Sequence, residues 1–150
     1  MAALLDSNVL VHAAVSGSSL HELAALLVDK GLRERGRFCI APQTLVEFAA
    51  VATRRRFVDP PLAPDVLARM AQRLYRSRRL RKIYPSRGTV ERAVRAGTSL
   101  GVSGTRWYDL FLAVTMREAG VREIITENLD DFRGIPFVTA RRIADAASSV

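Results

Sequence analysis

Cysteine is almost absent from this chain: Cys39 is the only one in 150 residues. A single thiol excludes an internal disulfide and any multi-cysteine metal site. Cys39 lies in the apolar run "FCIA", where a small core residue is the expectation. Histidine is nearly as scarce. His12 and His21 are not spaced as a metal-binding pair, and each is read as a surface or helix residue. No apolar run approaches the ~20 residues needed to span a bilayer. No basic leader precedes the apolar N-terminal stretch, so no signal peptide is expected. Together these absences point to a cytoplasmic protein that does not enter a membrane.

What is present is an ordinary globular balance, 49% hydrophobic and 25% charged. The length fits one domain over residues 1–150 with a real core. The charge is less ordinary. The net is +8, and only Lys30 and Lys82 among the 23 basic residues are lysines. Between Arg69 and Arg95 stand ten basic residues against one acid, Glu91. That local +9 leaves the rest of the chain close to neutral. A concentrated positive field suits a polyanion. Arg73, Arg76, Arg79, Arg81 and Lys82 are the candidate nucleic-acid contacts. The competing reading is a solvated helix face.

Periodicity gives the organisation. "ALLDSNVLV" reads as a strand over residues 2–6 running into a turn at Ser7 and Asn8. "SLHELAALLVDKGLRER" has a helical apolar period, with Ser18 or Ser19 as a candidate cap. "RFCIA" reads as a second strand. Pro42 then suits the first turn of the helix "PQTLVEFAAVATRRRF". A helix from Pro64 to about Leu80, a short strand "KIYP" and a helix weakened by Gly97 follow. The next helix runs from near Thr105 to Gly120. "REIITEN" is strand-like, "LDDFRGIPFV" holds a turn and a short strand, and the tail "TARRIADAASSV" fits a short helix. Strands alternating with helices indicate an α/β layer fold with a mainly parallel sheet.

Most of the fifteen acids look like surface charge, but four places do not. Asp6 ends the first strand, and ligand sites of open α/β sheets lie beyond the carboxyl ends of strands. Glu47 sits mid-helix with no basic residue within four positions, so no local ion pair explains it. Asp109 falls in the first turn of its helix among apolar neighbours. "ITENLDDF" gathers Thr126, Glu127, Asn128, Asp130 and Asp131 after another strand. Turn-forming and helix-capping roles compete at each position. Jointly, they bring acids to one edge of the sheet. Converging carboxylates repel unless a cation sits among them. An all-oxygen set favours Mg²⁺ or Mn²⁺ over Zn²⁺. A hard cation beside a basic patch suggests phosphodiester chemistry.

The order "LLDSNVLV", "IAPQTLVEF", "YDLFLAVTMREAGVREIITENLDDF" resembles the PIN-domain ribonucleases, and within them the VapC-type toxins of toxin–antitoxin modules. The resemblance covers essentially the whole chain, including "IPFV". It implies a PIN-like αβα domain that cleaves RNA with Mg²⁺ or Mn²⁺. It also implies homodimers and inhibition by a small cognate antitoxin. Asp6, Glu47 and Asp109 match the family's successive acids and would hold the metal. Asn128 matches a position that is Asp or Asn, and Asp131 matches the acid of an Asp-Phe pair. Asn8 and Thr126 match supporting polar positions. Asn128 departs from the four-acid version of the site, which bears on whether a second metal binds.

The leading expectation is therefore a metal-dependent endoribonuclease with Asp6, Glu47, Asp109, Asn128 and Asp131 at its site. One alternative is an RNA-maturation nuclease without an antitoxin. Another is a catalytically silent RNA-binding domain. A phosphatase using Asp6 as nucleophile has little support, since Asn8 stands where a paired acid is needed.

Overall fold

The computed structural model describes residues 1–150. Five short strands, β1 (Ala3–Leu5), β2 (Phe38–Ile40), β3 (Arg81–Lys82), β4 (Glu123–Ile125) and β5 (Thr139–Arg141), form one sheet in the order β3-β2-β1-β4-β5. Every pair is parallel. Parallel neighbours need crossover segments, and helices supply them. Helices α1 (Ser7–Ala14) and α2 (His21–Arg33) join β1 to β2. Helices α3 (Pro42–Ala52) and α4 (Pro64–Arg76) join β2 to β3. Helices α5 (Thr89–Leu100) and α6 (Arg106–Glu118) join β3 to β4. A 3₁₀ turn, Leu129–Phe132, lies between β4 and β5, and α7 (Ile143–Ala147) follows. The expected α/β architecture with a parallel central sheet is present.

Strand side chains alternate between two apolar layers, as a sheet covered on both faces requires. Ala3, Leu5, Phe38, Ile40 and Ile125 pack with α1, α2, α3, α4 and α7. Leu4, Cys39 and Ile124 pack with α5, α6 and the 3₁₀ turn. Cys39 is fully buried, and burial pushes its thiol up to about 12. It is therefore a neutral core residue, as read from "FCIA". No buried side-chain nitrogen or oxygen lacks a hydrogen-bond partner.

The chain leaves β1 toward β2 on one side, and its return through β4 pairs on the other side of β1. The sheet order thus reverses at the β1–β4 boundary. In open parallel sheets that boundary opens a crevice at the carboxyl ends of the strands. Asp6 and Thr126 are the residues immediately past β1 and β4.

Three local expectations need correction. Ser7 and Asn8 do not form a turn, because they begin α1 directly with Asp6 as its N-cap. Asp, Ser and Asn serve helix starts as readily as turns, and burial of Val9 and Leu10 decides for the helix. "IPFV" is not a strand. Pro136 interrupts it, and Ile135 is buried as an irregular segment. The last strand is instead Thr139–Arg141, an edge strand too exposed to carry an apolar signature. The strand read in "KIYP" lies earlier, at Arg81–Lys82, and Ile83 follows it into the core.

The two histidines are structural. His12 Nδ1 lies 2.6 Å from Ser18 Oγ, and His21 Nδ1 lies 3.2 Å from the His12 carbonyl oxygen. They tie the end of α1 to the start of α2.

Candidate functional site

Asp6 occupies the sharp passage from β1 into α1 and is only 6% exposed. Its Oδ1 accepts from the Ser7 N–H at 2.7 Å. Its Oδ2 accepts from Asn8 Nδ2 at 2.8 Å and from the Thr126 hydroxyl at 2.7 Å. Asn8 Nδ2 also reaches Thr126 Oγ1 at 2.8 Å, and Asn8 Oδ1 accepts from the Glu127 N–H at 3.1 Å. The Asn128 N–H donates to Thr126 Oγ1 at 3.0 Å. Asn8 and Thr126 thus clamp the ends of β1 and β4 and fix the Asp6 carboxylate. These bonds stabilise the charged form, but burial outweighs them and raises the Asp6 carboxyl. The charges of Glu47 and Asp131 raise it further.

Glu47 projects from α3, which starts at Pro42 directly after β2. The Thr44 hydroxyl accepts from the Ala41 N–H at 3.2 Å and donates to the Ala41 carbonyl at 2.7 Å. That local cap fixes the exit angle of the helix. No ion pair forms at Glu47, as its sequence surroundings indicate. Its partner is Gln43, one turn earlier, whose Nε2 donates to Glu47 Oε1 at 2.8 Å and to the Tyr108 carbonyl at 3.1 Å. Gln43 therefore links the Glu47 helix to the start of α6. Sequence reasoning gave it no role, although its i, i+4 spacing to Glu47 was the available signal.

Asp109 sits in the first turn of α6 and is half-buried. Burial, then the charges of Asp131, Asp6 and Glu47, push its carboxyl up to about 7, with only Arg106 pulling it down. Arg106 also donates to the Arg133 carbonyl at 2.6 Å, which anchors the exit of the 3₁₀ turn against α6. Asp131, half-buried in that turn, is thereby brought within the field of Asp6 and Asp109.

The structure thus brings Asp6, Glu47, Asp109 and Asp131 to one electrostatic neighbourhood at the crevice. Asn128 is different. Its backbone joins the Thr126 network, while the residue itself is exposed on an open polar hollow of about 590 Å³. The neighbouring acids have other work. Glu127 accepts from the Ile143 N–H at 2.9 Å and pairs with Arg142 at 3.2 Å, which secures α7. Asp130 pairs with Arg133 at the surface, 2.6 Å away.

No three His, Cys, Asp or Glu side chains close into a ready ligand cage. The four acids come from separate elements, and Glu47 and Asp131, which raise both Asp6 and Asp109, place them in one field. The donor chemistry is all oxygen, with no sulfur or imidazole among the converging groups. Such a set fits a hard divalent cation, whose charge would relieve the repulsion.

The basic run is divided by the fold. Arg79 Nη1 donates to the Arg33 carbonyl at 2.6 Å, and Arg81 Nη2 to the Ala119 carbonyl at 2.8 Å. Arg33 ends α2 and Ala119 follows α6, so both contacts lie toward the amino-terminal edge of the sheet, opposite the acids. Lys82 donates to the carbonyls of Ser77 and Leu80. Arg73 lies 3.9 Å from Asp29. Of the five basic residues singled out in the sequence, Arg76 alone is exposed and free of such a tether.

A parallel sheet with its acids at the strand-order reversal, between two helical layers, defines a class of α/β domain. The sequence matches the PIN domain over residues 3–138. The chain belongs to the PIN-domain family. None of the curated proteins matches it. Among solved structures it is similar to Mycobacterium tuberculosis VapC20, a sarcin-ricin loop cleaving toxin, at 16% identity and TM-score 0.66, covering 91% of this chain and 97% of that one. VapBC2 from Rickettsia felis, bound to a DNA fragment from its promoter, gives 18% identity and TM-score 0.62, covering 95% and 98%. A toxin–antitoxin complex from Klebsiella pneumoniae gives 22% identity and TM-score 0.57, covering 92% and 96%. At these identities the likeness concerns the fold.

Proposed function

We propose that the protein is a metal-dependent endoribonuclease and the toxin of a toxin–antitoxin pair. The observation that carries the catalytic part is the convergence of Asp6, Glu47, Asp109 and Asp131 on the crevice, with Asp6 and Asp109 both raised by burial and by the charges of Glu47 and Asp131. Asp6, Glu47 and Asp109 would hold Mg²⁺ or Mn²⁺. When bound, such an ion lowers the pKa of water and offsets charge developing on a phosphate.

The chain's own groups do the positioning. Ser7, Asn8 and Thr126 hold both oxygens of Asp6 in one orientation, so no rotamer search precedes binding. Gln43 sets Glu47 against the start of α6. The Asp131 carboxylate accepts a proton from the attacking water, and Asn128 on the open side helps to orient that water. Oxygen attacks phosphorus as the bond to the 3′ oxygen breaks, and the leaving 3′ oxygen takes a proton from solvent water. The products carry 5′-phosphate and 3′-hydroxyl ends.

The toxin part is supported by neighbours that are themselves toxins or toxin–antitoxin complexes. A small antitoxin would cover the acidic crevice. An apolar hollow of about 480 Å³ between α5 and α6, bordered by the exposed Val90, Val94 and Tyr108, supports a homodimer. No helix is long and apolar enough to cross a membrane. The proposed workplace is the cytoplasm, where RNA and antitoxin meet the chain.

Purified protein, freed of any partner, is incubated with a mixed structured RNA pool in Mg²⁺, Mn²⁺ or EDTA. Discrete cuts that require the metal and disappear in Asp6→Asn are expected. Wild type that binds RNA but leaves every RNA intact in both metals would support the silent binding domain instead.

A further inference from the structure

The edge of the sheet opposite the acids is basic in a way the proposed chemistry does not use. The loops that enter β2, β3 and β4 present Arg35, Arg78 and Arg122, all exposed. Arg117 joins them from the last turn of α6. The Gly36 N–H donates to the Arg79 carbonyl at 3.2 Å, which ties the first two loops together. The acids beside these arginines are already taken. Glu34 pairs with Lys30, Glu118 with Arg92, and Glu123 with Arg141. Arg35, Arg78, Arg117 and Arg122 are left without an ion pair.

Between the end of α6 and the start of β5 this edge opens into a hollow of about 710 Å³, lined by Arg117, Gly120, Arg122, Pro136, Phe137 and Thr139. It holds two guanidiniums and no carboxylate. Gly120, at φ 72°, turns the chain out of α6 without placing a side chain in the space. The Arg117 guanidinium carbon lies 4.9 Å from the centre of the Phe137 ring, so the ring orients that cation. The carbonyls at a helix end repel anions, but those of α6 are engaged. The Val121 N–H donates to Met116, the Gly120 N–H to Arg117, and Arg81 Nη2 to Ala119. Arg117 follows Asp109 on α6, about 12 Å further along the axis at ~1.5 Å per residue. The hollow is therefore separate from the crevice.

We propose that this edge, centred on Arg117 and Arg122, is a docking face for the phosphate backbone of a folded RNA. That the polyanion is RNA rests on the ribonuclease reading. Guanidinium forks match phosphate oxygens in pairs, which suits a backbone lying across the hollow. Phe137 packs against the core and carries Arg117 on its ring, so no aromatic face is left for a base. Contacts to phosphates alone carry no sequence information, so the face holds RNA without choosing where it is cut.

The test measures anisotropy of a fluorescein-labelled RNA hairpin with a fully paired stem, using the full-length chain in EDTA so that nothing is cut. Arg117→Ala and Arg122→Ala are each expected to reduce the logarithmic salt slope of binding by about 1, and the double variant by about 2. The double variant should bind about 10-fold or more weakly at low salt. Replacing both by lysine keeps the charge and should keep the slope. Thermal unfolding confirms that each chain is folded. If wild type binds the hairpin and the folded double alanine variant binds it with the same affinity and slope, the docking face is overturned while the nuclease reading stands. If a DNA duplex of the same sequence binds more tightly, with the same dependence on both arginines, the assignment to RNA is overturned. Inorganic phosphate titrated by calorimetry should give no saturable binding. Saturable binding that the double variant loses would make the hollow a site for a small phosphate ligand and overturn the proposal. A wild type that docks the hairpin through these arginines yet cuts no RNA with Mg²⁺ or Mn²⁺ would keep the face and remove the nuclease reading.

Discussion

Asp6 illustrates how a carboxylate survives at the end of a buried strand. Three side-chain or backbone donors satisfy its two oxygens, and the remaining cost is visible as a raised pKa. Thr126 is central to this arrangement, because its hydroxyl donates to Asp6 while accepting from Asn8 and the Asn128 N–H. Thr126→Val keeps the volume and removes the hydroxyl. It should lower RNA cleavage about 10- to 100-fold, as expected for losing a partner that orients a metal ligand. Steady-state cleavage by the folded variant checks this. Asp109 makes a different prediction. Its folded pKa of about 7 exceeds the ordinary 3.8, so folding favours its protonated form. The stability it lends is complete below about pH 4 and is lost as pH rises through 7. Without divalent ions, the chain should melt at a lower temperature at pH 8 than at pH 5.5. Asp109→Asn should flatten that difference, and Mn²⁺ should raise the wild-type melting temperature most at pH 8. Calorimetric melting across pH reads all three effects.

Among the elements, long amphipathic helices and doubly buried strands were the most legible. Pro42 marked the start of α3, and the apolar cores of β1, β2 and β4 marked the sheet. What escaped were elements whose signal is tertiary. Helix α1 hides in a β-branched run and is decided by its packing against α2 and α3. Edge strand β5 has no apolar code because one side faces solvent. The acids that share one field stood out in the sequence for different reasons: Asp6 and the run holding Asp131 follow buried strands, Glu47 has no basic residue within four positions, and Asp109 has apolar neighbours. Gln43 was legible only in part, because its spacing to Glu47 is local while its second partner, the Tyr108 carbonyl, comes from α6. Gly97 looked like a helix defect, and packing gives the reason for it. A Cβ built there would lie 2.3 Å from a Trp107 ring carbon and 2.8 Å from Leu110. Gly97→Ala would gain ~1 kcal/mol of helix propensity in isolation. The overpacked α5–α6 contact should outweigh this and leave the protein about 1–2 kcal/mol less stable, measured by urea unfolding.

Across the whole molecule, charge is divided by the fold in a way composition does not show. The sequence run from Arg69 to Arg95 is one block, yet several of its residues are spent on helix ends and local ion pairs. Arg79 and Arg81 brace helix ends, while Arg76, Arg78 and Arg87 remain free at the surface. The acids take the opposite course, with Asp6, Glu47, Asp109 and Asp131 arriving from distant stretches at a single crevice. Covering that crevice with an antitoxin should protect RNA and raise the melting temperature together, since both effects come from the same carboxylates. Coexpression with the product of a neighbouring small reading frame, followed by cleavage and melting assays of the copurified complex, checks this.

Beneath all of these readings lies the proposal that Asp6, Glu47 and Asp109 receive a cation. Isothermal titration of Mn²⁺ into the metal-free chain at pH 7.5, beside Asp6→Asn and Asp109→Asn, tests it most directly. The account predicts saturable binding by wild type, with proton release as the cation displaces the proton that Asp109 partly keeps at this pH, and strong loss of binding in each variant. Absence of saturable binding in the folded wild type, or equal binding by all three chains, would contradict it.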